Sequence, residues 1–82
     1  MIFDIEYTTT SMEAAFVIRD FITDKLRVRI IASGADTRQP KGSFTYEVTV
    51  KGEKNKNKVV KWLKKQKIFR VSKVEVNEVE EA

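Results

Sequence analysis

The sequence predicts an α+β sandwich, a four-stranded antiparallel sheet with two helices on one face. Three features predict it. Residues 2–7, 26–33, 43–51 and 69–79 alternate apolar and polar side chains in the period of a half-buried strand. Residues 11–24 and 55–66 instead carry apolar stripes of helical period. The resulting order is strand, helix, strand, strand, helix, strand, and two interleaved right-handed strand–helix–strand units give the spatial strand order 4-1-3-2. That is the ferredoxin-like arrangement. With 82 residues and 41% hydrophobic content, the chain reads as a single domain, 1–82, whose acidic end at 79–82 is expected to fray.

The first strand, Ile2 to Tyr7, sets Phe3, Ile5 and Tyr7 on one face and Asp4 and Glu6 on the other. Thr8 to Ser11 stops it, and Thr10 followed by Glu13 fits a capping box for the next helix. That helix, Ser11 to Asp24, carries the stripe Ala14, Ile18, Phe21 and Ile22. Met12 and Phe16 fall off the stripe, one turn apart, and together with Ile31 they are the expected protein-contact residues. In the second strand Leu26, Val28, Ile30 and Ala32 point inward, while Arg27, Arg29, Ile31 and Ser33 point outward, with Arg29 opposite Glu47. This strand is an edge, which its arginines would guard against pairing, and the unexplained apolar residues still favour a homodimer.

Gly34 to Gly42 holds two of the three glycines and the only proline, and reads as a loop. Ser43 to Lys51 turns Phe44, Tyr46, Val48 and Val50 inward and Thr45, Glu47 and Thr49 outward, and Gly52 ends it. The last strand, Phe69 to Val79, changes phase near Ser72, where a bulge or bend is expected.

Charge is polarised along the chain. Lys51 to Lys67 holds eight lysines against Glu53, a net +7 in a chain of net +4, so the remainder carries −3. On the second helix Lys54, Lys58, Lys61 and Lys65 form one row opposite Val59, Val60 and Leu63. Like charges at this spacing oppose one another by about 0.2–0.5 kcal/mol per pair. A local rule broken without compensation points to function, and lysine in place of arginine points to phosphates met as point charges.

The expectation is therefore a non-enzymatic, largely sequence-tolerant nucleic-acid-binding protein. Its contacts would be Lys51, Lys54, Lys58, Lys61, Lys64 and Lys65, with Arg38 and Lys41 of the long loop as a second basic contact. RNA is favoured over DNA, because no element carries base-reading side chains suited to the major groove. The topology is shared with the RNA-recognition motif, whose third-strand signature Lys41 to Val48 resembles at its start. Phe44 and Tyr46, however, face the helices, so bases are not expected to stack on the sheet. The rival expectation is a small protein-binding regulator or inhibitor, of a kind phages encode, acting through Met12 and Phe16 or a strand edge.

The absence of cysteine and histidine removes disulfides, a thiolate nucleophile, the commonest general base and the commonest transition-metal ligand. Asp4 and Glu6 read as part of a solvated salt lattice with the outward arginines, and the hydroxyl run Thr8 to Ser11 as helix capping. No enzyme activity and no cofactor are expected. No apolar run approaches the roughly 20 residues of a membrane span, so a cytoplasmic protein without a membrane partner is expected.

Overall fold

The computed structural model describes residues 1–36 and 38–80 of the chain. The elements are β1 (Ile2–Thr9), α1 (Met12–Asp24), β2 (Ile30–Ala35), β3 (Phe44–Lys51), α2 (Glu53–Lys65) and β4 (Lys73–Val79). The strands are antiparallel in the order β2-β3-β1-β4, the order the sequence predicts.

The core lies between the sheet and both helices. Phe3, Ile5 and Tyr7 of β1 alternate into it beside Tyr46, Val48 and Val50 of β3. Ala15, Ile18 and Ile22 of α1 and Val59 and Leu63 of α2 close it from above. Tyr7 is fully buried, and its hydroxyl donates to the Ala15 carbonyl over 2.8 Å. Burial, and then the neighbouring Tyr46 hydroxyl, raise the Tyr7 pKa, so this hydroxyl remains a donor. Trp62 stacks on Phe21 with ring centroids 4.5 Å apart, joining the two helices.

Three expectations change in detail. The cap of α1 is Ser11, whose hydroxyl accepts from the Ala14 amide over 3.1 Å; β1 runs on through Thr9, leaving Thr10 outside the cap position. Phe16 is not exposed. Its ring packs edge-on against Phe44 and Tyr46, and the Arg19 guanidinium lies 4.7 Å from its centroid. At the other end, β4 begins only at Lys73, after Arg70 takes a left-handed φ of 50°, so the stretch from Phe69 expected to open the strand precedes it, and β4 pairs with β1 without a bulge. Val79 pairs with Ile2, and residues 81–82 of the expected acidic tail lie outside the described residues.

The largest difference is β2. It starts four residues later than the alternation predicts, and its register against β3 shifts between Ile30 and Ala32. Arg27 has a left-handed φ of 59° and Val28 is buried, its amide donating to the Ile22 carbonyl. The segment is therefore a helix-terminating turn before it is a strand. A one-residue shift exchanges the faces of every later residue. Ser33 thus lies opposite Val48 on the helix side, where it accepts from the Tyr46 hydroxyl, and Gly34 takes the place opposite Glu47 that Arg29 was expected to fill.

Candidate functional site

The face of the sheet away from the helices is open, and its side chains fall into cross-strand rows. One row is Thr49, Asp4 and Asn77, and another is Thr45, Thr8 and Lys73. Between them run Gly34, Glu47, Glu6 and Glu75, one from each strand. Three carboxylates thus stand side by side across β3, β1 and β4. Like charges directly opposite on neighbouring strands destabilise a sheet.

Two of the acids in this region are answered. Asp4 accepts from the Thr49 hydroxyl over 2.6 Å, and Glu75 pairs with Lys73 over 3.1 Å. Glu6 and Glu47 have no cation and no hydrogen-bond donor among the described residues. The displaced start of β2 explains this, since it removes Arg27 and Arg29 from the strand. Partial burial, and then the charges of Asp4 and Glu6, hold the Glu47 carboxyl above the usual carboxylate range.

The β2–β3 loop walls this region. The Gln39 side chain clips onto the start of β3, its carbonyl accepting from the Thr45 amide over 3.0 Å and its amide donating to the Thr45 carbonyl over 3.1 Å. The same side-chain amide donates to the Asp36 carbonyl over 2.8 Å. Gln39 therefore occupies the edge of β3 just beyond the end of β2. Gly42 turns the chain back with φ 84°, a conformation that favours glycine. Glu6, Glu47, Gly34, Asp36, Arg38 and Gln39 contribute to the lining of a cavity of about 560 Å³. That volume is of the size small-molecule sites occupy. Its charged lining is three acids and one arginine. Among the described residues no three carboxylates converge closely enough to hold a metal ion.

The residues expected to meet phosphates do not form one surface. Lys51, Lys54, Lys58, Lys61, Lys64 and Lys65 are all exposed along α2 and its approach. Arg38 lines the acidic cavity on the opposite face of the sheet, and Lys41 is exposed in the same loop. A phosphate reaching Arg38 would meet Asp36, Glu6 and Glu47. Of the expected protein-contact residues, Met12 and Ile31 are exposed and Phe16 is covered, so no Met12–Phe16 patch exists. The sequence placed Asp4, Glu6 and Glu47 on this face but neutralised them with arginines that are elsewhere. Nothing in the sequence signalled the Gln39 clip.

No family model and no curated protein sequence matches the chain. Among solved structures it is similar to a protein of Deinococcus radiodurans provisionally named an antibiotic biosynthesis monooxygenase. The identity is 16%, the TM-score is 0.46, and the match covers 100% of this chain and 95% of the other. At that identity and score the activity of the neighbour does not transfer. The neighbour bears an enzyme's name, whereas the sequence led to the expectation of a non-enzymatic nucleic-acid-binding module or small protein-binding regulator. The split of Arg38 from the lysine row and the covered Phe16 oppose the same expectations on physical grounds. No helix among the described residues is long and apolar enough to cross a membrane.

Proposed function

We propose that the chain is a small-molecule-binding domain whose site is the cavity on the open sheet face, and that its ligand is a small amine. The observation that carries this is the facing of Glu6 and Glu47 without a cation or donor among the described residues. A ligand ammonium between them relieves the repulsion of a pair the fold otherwise leaves opposed, and charge-assisted hydrogen bonds to carboxylates are among the stronger ones. Gln39 holds the wall of the site, and Arg38 at its margin suits a ligand that also carries an acceptor. A carboxyl that keeps its proton above the usual range can also exchange it with a bound molecule, so Glu47 is the residue suited to acid–base chemistry.

Calorimetric titration with putrescine, arginine, citrate and ATP tests the reading. Putrescine or arginine should bind and citrate and ATP should not, with Glu47→Gln losing most of the affinity. Heat from the two anions alone would refute it.

A further inference from the structure

We infer that β2 pairs edge to edge with β2 of a second copy of this chain, in an antiparallel, twofold arrangement that extends the sheet and adds a wall to the open-face cavity. It rests on the binding reading only for the role of that wall. The sheet has two edges, β2 and β4. Natural edge strands are commonly blunted by charge, proline or a covering segment. β2 is Ile-Ile-Ala-Ser-Gly-Ala, with no charge and no proline, and the expected guards Arg27 and Arg29 lie outside it. Its one irregularity is at Ile30/Ala32, so the run from Ala32 to Ala35 remains regular. Among the described residues no backbone group outside the sheet caps its outer side.

A second copy is the occupant these features favour. Two identical strands paired antiparallel are self-complementary by symmetry. The uncharged β2 sequence brings no like charges together. From Ala32 onward its side chains are small, a Cβ built at Gly34 meets nothing within 4 Å, and Ile31, 44% exposed, gains cover from a neighbour.

Distance decides between the two edges. Across a β2–β2 junction the two Glu47 side chains are three strand spacings apart, about 14 Å, beyond the roughly 8 Å screening length of physiological salt. Pairing through β4 would instead set Glu75 and Glu78 of each copy, with Lys73 as the strand's one cation, beside a strand carrying the same two acids. Gly34 and Ala35 line the cavity, so the added strand stands at its open side.

Sedimentation equilibrium and single-cysteine crosslinking test this, and the cysteine-free chain makes the crosslink unambiguous. Without any ligand, the chain should dimerise at concentrations up to several hundred micromolar, as suits a small interface. Ser33→Cys should form a disulfide-linked dimer under mild oxidation and Glu75→Cys should not. Ile31→Lys should leave the monomer with unchanged circular dichroism, and should weaken putrescine binding several-fold. A wild-type monomer throughout, or crosslinking at Glu75→Cys but not Ser33→Cys, would overturn the inference and leave the binding reading standing. A dimer that binds no amine would remove the binding reading and the role of the wall, and leave the pairing.

Discussion

Glu6 of β1 and Glu47 of β3 are direct cross-strand neighbours on the open face, with Glu75 of β4 on the other side of Glu6. An opposed pair of this kind works against folding, by roughly 0.2–1 kcal/mol if it follows other cross-strand pairs. The chain tolerates it at the floor of the open-face cavity, and local rules are most often broken where a site needs them broken.

Removing the repulsion should therefore stabilise the protein. Glu47→Gln is expected to raise unfolding free energy at pH 7 by about 0.2–1 kcal/mol. The sign of the pH dependence follows from the raised Glu47 pKa. The folded state binds this proton more tightly than the unfolded chain, so the favourable contribution is full below the unfolded pKa and is lost as pH rises through the folded one. The advantage of Glu47→Gln should accordingly shrink toward zero as the solution is acidified through that interval. Urea denaturation of both proteins across the acidic range checks it, and a variant less stable than wild type at pH 7 would contradict it.

The arrangement of the sheet was legible because β1 and β3 alternate without interruption over most of their length. Phe3, Ile5, Tyr46, Val48 and Val50 went to the core as their period requires. β2 misled for a physical reason. Leu26 to Ser33 alternates, but its first residues complete a turn after α1, with Arg27 left-handed and the Val28 amide bonded to Ile22, and a later register shift reverses the phase. Alternation registers a period of two and cannot show where pairing begins. The site inherited that error, since two arginines placed on the open face by pattern alone made the acids there look neutralised. Phe16 misled differently, because the rings that cover it come from β3, a contact no helical wheel contains.

The packing of α2 separates its two sides energetically. Leu63 is buried, so Leu63→Ala should cost about 2–5 kcal/mol. Lys61 is exposed on the other side, and Lys61→Ala should stay within about 0.5 kcal/mol. Thermal and denaturant unfolding of the two variants checks this, and similar losses at both positions would mean that α2 packs on another face.

The clip made by Gln39 should be visible without any ligand. Its carbonyl accepts from the Thr45 amide. Gln39→Ala removes that bond, and a net hydrogen-bond contribution of roughly 0.5–1.5 kcal/mol corresponds to about a 2- to 12-fold faster amide exchange. Hydrogen exchange at Thr45 should accelerate by that factor while Val48, in the middle of β3, keeps its protection. Unchanged exchange at Thr45 would show that the loop is held by other contacts.

The most direct measurement is an NMR titration of the Glu47 side-chain carboxyl, with and without saturating putrescine. Without the amine, the carboxyl should titrate above the ordinary range of a glutamate, as its partial burial and acidic neighbours require. With the amine, the added positive charge should favour the ionised form and move the titration to lower pH, and Glu6→Gln should reduce the starting elevation. A Glu47 titration that is the same with and without the amine would contradict the account, whatever binds elsewhere on the molecule.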